Sequence, residues 1–211
     1  MSKLVYGVGV SDADYQVQVK ETISGRYKSG KKKQKGVWAC PFYRVWVNML
    51  QRGYSEKLKV KRPTYRDCTV CEEWHLFSKF RCWMETQDWE GKELDKDLLI
   101  QGNKVYSPET CVFVSAQVNS FMTDSGAARG QYKIGVSWHK IRSKYQANCN
   151  NPFTHKKEYL GLFETEDMAH QEWLARKLEH AYVLAATQTD ERIAEALIGY
   201  YENYGVNCEY S

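Results

Sequence analysis

Asp95 and Asp97 stand two residues apart, a spacing that puts both carboxylates on one face of a strand, where their oxygens can hold a magnesium ion. The same pair also reads as two solvated charges on a hairpin. Cys68 and Cys71 form a C-x-x-C pair, half of a thiolate metal site. No second close pair accompanies them, so a structural zinc ion is not expected. The seven cysteines then read as free thiols used as small apolar residues. Lys31, Lys32 and Lys33 lie in a run punctuated by Gly25, Gly30 and Gly36, a composition suited to gripping phosphates or simply to staying in water. Residues 126–160 hold seven Lys or Arg against one Asp or Glu, with Trp138 and Tyr145 among them.

The net charge of the 211 residues is only +4. It hides two basic blocks, residues 1–90 and 126–160, and an acidic stretch, 161–211, with ten acidic against three basic residues. Such asymmetry points to a polyanionic partner. A hydrophobic share of 43% is enough for a packed core and excludes wholesale disorder. No apolar run approaches the roughly 20 residues of a membrane span, and the N-terminus lacks a signal-peptide pattern. No membrane partner is therefore expected, and a soluble intracellular location is. Phosphate-binding glycine loops, a dinucleotide fingerprint, a nucleophile elbow and H-E-x-x-H are all missing, so no small-molecule substrate is expected.

The elements that must position these residues follow from periodicity. Residues 1–40 read as a flexible basic arm. Tyr43, Trp46, Val47 and Leu50 form one helical face, and Trp74, Phe77, Phe80 and Trp83 another, both more core than stacking platform. Arg44, Arg52, Lys79 and Arg81 would leave a basic outer face. Leu94 to Ile100 and Lys104 to Tyr106 read as a hairpin about Gly102-Asn103, followed by a helix with Ser107 as its cap and Pro108 in its first turn. Tyr132 to Val136, Lys144 to Cys149 and Lys157 to Phe163 read as three strands. A long helix capped by Thr165 follows, then one from Asp190 to a stop at Gly205. The expected class is α+β: a basic arm (1–40), a ββα unit (41–125), a three-stranded antiparallel sheet on a helix (126–187) and a final helix (188–211).

The stretch LDKDLLIQGNKVYSPETCVFVSAQVN, Leu94 to Asn119, resembles the HNH endonuclease motif as phage proteins carry it. The resemblance implies a site at Asp95, with Lys96 where the family has its catalytic His and Asn119 as the closing residue. Asp95 and Asp97 would be the metal ligands and Mg2+ the cofactor. None of the five histidines falls in the motif; His75 is a substitute base only through being near in sequence. A protonated Lys is a poor general base, which implies catalysis that is weak or lost.

Residues 129–181, with IGVSWHKIRSKYQA and YLGLF, resemble an AP2-type DNA-binding domain, whose sheet lies in the major groove. The resemblance implies DNA contacts from Arg129, Trp138, Lys140, Arg142, Lys144 and Tyr145. The basic run at Lys31, Lys32 and Lys33 lies outside the resemblance; by its charge alone it reads as an arm that would grip the phosphate backbone. The function the two resemblances imply is a phage DNA-binding protein of homing-endonuclease type, acting on double-stranded DNA in the cytoplasm of an infected host, and cutting weakly or not at all. Two alternatives stand beside it: an active magnesium-dependent nuclease or nickase, and an effector that binds a host protein with this scaffold.

Overall fold

The computed structural model describes residues 4–27, 29–123 and 131–204. The described chain is mixed α+β, with small sheets and six α-helices, and divides into two compact units, Met1–Phe113 and Val114–Ser211. No helix among the described residues is long and apolar enough to cross a membrane.

In the first unit the basic segment is not an unpaired arm. β1 (Gln18–Arg26) and β2 (Lys32–Ala39) form an antiparallel ribbon. Val19, Thr22, Ile23, Val37 and Trp38 supply the strand-forming side chains, and Gly25 and Gly30 take the positive φ angles that bend the chain near its tip.

The core begins with α1 (Pro41–Tyr54), whose Tyr43, Trp46 and Leu50 are buried as their spacing predicts. A short helix, α2 (Glu56–Lys61), follows, its first turn closed by Ser55 accepting from the Leu58 amide. Beyond β3 (Thr69–Val70), a 3-10 turn at Glu72–His75 and α3 (Phe77–Glu85) bury Trp74, Phe77 and Phe80. The two aromatic faces are locked together: Trp46 Nε1 donates to the Trp74 carbonyl at 2.7 Å. Gly9 lies so close to Leu50 and Trp46 that a Cβ there would stand 2.3 Å from Leu50 Cδ1.

The expected hairpin and the helix at Ser107 do not form. β4 (Glu93–Asp95) ends at Asp95 and pairs with β6 (Val112–Val114), while β5 (Val105–Tyr106) pairs in parallel with β3. Ser107 does start a turn, its carbonyl accepting from Thr110 and Cys111. That turn closes because Cys111, Val112, Phe113 and Val114 are all buried. A continuous apolar run rich in β-branched residues fits an interior strand better than one face of a helix. The helix comes later, as α4 (Ala116–Met122), capped by Ser115 accepting from the Val118 amide at 3.2 Å.

α4 opens the second unit. An antiparallel sheet follows, in the order β7 (Val136–His139), β8 (Lys144–Asn150), β9 (Lys157–Phe163). The first strand starts at Val136 rather than Tyr132, because Gly135 (φ +80°) turns the chain beneath Trp173. α5 (Glu166–Ala185) starts where Thr165 accepts from the Met168 amide and packs Ala169, Trp173 and Ala181 inward. α6 (Glu191–Glu202) is capped by Asp190 and buries Ile193, Leu197 and Tyr201. The expected stop at Gly205 lies outside the described residues.

Candidate nucleic-acid interface

Lys96 is a structural residue of the first unit. It is 4% exposed, its ammonium donates to the Asn103 carbonyl at 2.9 Å, and it lies 3.0 Å from Asp97 Oδ2. Asp95 Oδ1 accepts from the amides of Asp97 and Leu98, so its carboxylate closes the bend that ends β4. Burial, then the neighbouring Asp97, raises the Asp95 pKa above the ordinary carboxylate range. Asp97 lies beyond the end of the strand, so the two carboxylates do not share a strand face. A cation already sits on Asp97 and backbone amides already occupy Asp95, an arrangement that does not suit a magnesium ion. Asn119 belongs to α4 and so to the second unit. Among the described residues no three His, Cys, Asp or Glu side chains are grouped to hold a metal.

The ribbon has a different character. Nearly every residue from Lys20 to Ala39 that is described is exposed, on both faces. Lys20, Arg26, Lys31, Lys32, Lys33 and Lys35 stand against the single carboxylate of Glu21. Tyr27, Val37 and Trp38 are large side chains left in water beside them. The expected basic outer face of the aromatic segment is partly used up: Arg81 pairs with Glu85 at 2.7 Å, and Arg52 reaches the Leu94 carbonyl at 3.4 Å. Arg44 and Lys79 remain exposed.

In the second unit, pairing register decides which residues face outward. Residues paired directly across an antiparallel sheet project to the same side. Cys149 pairs with Glu158, and both meet His180 of α5: Cys149 Sγ lies 3.9 Å from Nδ1 and Glu158 Oε2 lies 3.4 Å from Nε2. Burial lowers the His180 pKa below its ordinary value, outweighing the opposing attraction of Glu158. That side of the sheet therefore faces α5. Trp138 and Tyr145 pair with each other, and each is two residues from a member of the Val136–Ala147 pair, so they share the α5 side; their rings meet edge-on at 4.9 Å.

The outward side carries Ser137, Gln146, Asn148, Asn150, Lys157 and Tyr159, with Lys144 at one end. Tyr159 is 62% exposed. Lys140 and Arg142 are exposed in the β7–β8 turn, and Lys144 is tied to Glu164 at 2.6 Å. Arg129 lies outside the described residues. The outward carboxamides and Tyr159 were not among the expected contacts. Their signal is the alternation of the carboxamides Gln146, Asn148 and Asn150 with Tyr145, Ala147 and Cys149 along one strand. Asn and Gln are the side chains that pair with adenine edges in a major groove.

Comparison of the chain with protein-family models, with curated proteins and with solved structures finds no match.

Proposed function

We propose that this protein binds double-stranded DNA, with the β1–β2 ribbon and the outward side of the β7–β8–β9 sheet as its contact surfaces. One observation carries the reading: a two-stranded ribbon, exposed on both faces, presents six described cations against one carboxylate. An isolated hairpin is at best marginally stable in water, so a ribbon with no core behind it is an element built to be covered. Its charge selects a polyanion, and a two-stranded ribbon is of a size to enter the major groove. The sheet adds carboxamides and Tyr159 on one side, with Lys140 and Arg142 in the adjoining turn.

In this reading the protein is of the homing-endonuclease type with catalysis lost: Lys96 holds a loop rather than a proton destined for substrate. The test is affinity for duplex DNA at 50 mM and 200 mM salt. A fall of several hundredfold or more supports phosphate-led binding, and a flat response overturns it. A salt-independent complex with a host protein, surviving nuclease treatment, would favour the effector reading instead.

A further inference from the structure

The second unit contains a cavity of about 660 Å3, within the roughly 300–1,000 Å3 range of small-molecule sites. It opens among α4, the start of β7, the β8–β9 turn and α5. Its chemistry is one-sided. Lys133, Lys157, Lys177 and His155 line it, and among the described residues no carboxylate does. Lys133 is already paired with Asp167. Lys157 stands exposed and has no ion pair among the described residues. Lys177 is set among aromatic rings, its ammonium 3.6 Å from the centroid of Phe121 and 5.0 Å from that of Tyr201, and 3.0 Å from the Phe121 carbonyl. That leaves part of its donor capacity for something in the cavity.

The remaining polar lining is amide. Gln117, Asn148, Asn150 and Asn151 each present a carboxamide side chain, a group that both donates and accepts and so matches the edge of a nucleobase. Some of this capacity is spent: Gln117 donates to the Pro152 carbonyl, Asn151 donates to Glu158 and accepts from the Phe153 and Thr154 amides, and Asn148 Oδ1 accepts from Gln146 Nε2 at 3.1 Å, which leaves Asn148 its amide nitrogen as a donor. Asn150 has no such side-chain partner among the described residues and is exposed. The indole of Trp173 and the ring of Phe121 complete the lining with apolar surface.

We propose that this cavity binds a nucleoside monophosphate, with Lys157 and Lys177 taking the phosphate and Asn148 and Asn150 reading the base edge. The nucleotide has two sources, one free in solution and one swung out of a bound DNA strand. Asn148, Asn150 and Lys157 belong both to the cavity and to the outward side of the sheet, so a strand lying on that side would pass its mouth. The swung-out source rests on the DNA-binding reading above; the free source does not. Extrusion costs a few kcal/mol of unstacking and is offset only where a pocket accepts the base.

The probe is 2-aminopurine deoxyriboside 5′-monophosphate, whose fluorescence reports its surroundings, titrated into the intact chain. Saturable binding is expected, at least tenfold weaker for the nucleoside without its phosphate. Lys157→Ala, at the exposed rim, should weaken it about tenfold, and Lys177→Met, of similar length, by as much or more; circular dichroism checks that both variants fold. A second arm places 2-aminopurine at successive positions in duplexes, where extrusion raises its emission when protein is added. Duplex binding with neither a free-nucleotide signal nor an emission rise overturns the pocket and leaves the DNA reading standing. Nucleotide binding without duplex binding keeps the pocket and removes the DNA reading. Nucleotide binding indifferent to phosphate and to both lysine variants also overturns the assignment.

Discussion

Lys96 and Asn103 hold each other: the lysine ammonium donates to the asparagine carbonyl at 2.9 Å, and the asparagine amide donates to the Lys96 carbonyl at 2.6 Å. The reciprocal pair ties down the bend after β4. A histidine at position 96 is too short to span the same loop. Lys96→His should therefore cost roughly 2–3 kcal/mol of stability, the scale of a lost charge-assisted hydrogen bond in a buried setting. It should gain no cleavage of supercoiled plasmid in magnesium or manganese. Relaxation by the variant alone would restore the metal-nuclease alternative.

Gly135 is the point where the second unit tolerates no side chain. A Cβ there would lie 2.1 Å from Trp173 Cδ1, and its φ of +80° is unfavourable for any other residue. Gly135→Ala should destabilise by roughly 3 kcal/mol or more, read by urea denaturation. Gly36→Ala, with nothing within 4 Å of its Cβ position, should stay within about 0.5 kcal/mol. Equal effects of the two would refute the packing described for Trp173.

Burial lowers the Lys177 pKa from 10.5 to about 8, against a smaller opposing effect of Cys149. Below pH 8 the amine is charged in folded and unfolded chains alike, and the cost of burying that charge is fully present. Between pH 8 and 10.5 the unfolded chain binds more protons, so this group adds stability as pH rises, roughly 3 kcal/mol across the window. Tyrosines and thiols titrate there too, so the relevant quantity is the difference between wild type and Lys177→Met. A difference that does not change over that range would show that Lys177 titrates normally.

Thiol reactivity should separate the six described cysteines. Cys82 is exposed, while burial pushes Cys111 up to about 12 and Cys149 up to about 11. Brief alkylation of the native protein at pH 8, mapped by mass spectrometry, should mark Cys82 well before Cys111 or Cys149. Early labelling of Cys149 would contradict the packing of β8 against α5.

Replacing Lys31, Lys32 and Lys33 together by Ala should lower the slope of log affinity against log salt by about 3, near 0.9 for each phosphate no longer neutralised. The fold should be unaffected, since all three side chains are exposed. An unchanged slope would remove the ribbon from the interface.

Elements with one buried face were legible from residue order alone. Tyr43, Trp46 and Leu50 mark α1, and Thr165 and Asp190 mark the starts of α5 and α6, because each signal is local. The ribbon was not legible: with both faces in water it has no alternation to read. β6 was hidden because Ser107-Pro108 resembles a helix start, whereas burial of Cys111 to Val114 is decided by distant residues. The candidate site was legible in its charge and obscured in its aim. Trp138 and Tyr145 draw attention by type, yet register turns them toward α5 and turns the quieter Asn148, Asn150 and Tyr159 outward.

The ribbon has a kinetic corollary. A ladder that shelters no apolar layer keeps water from its amides by its own hydrogen bonds alone, so those amides should exchange their protons together, ahead of α1 and α3. Whatever settles over β1 and β2 would slow them as a block, leaving a footprint of deuterium retention along one short stretch of chain.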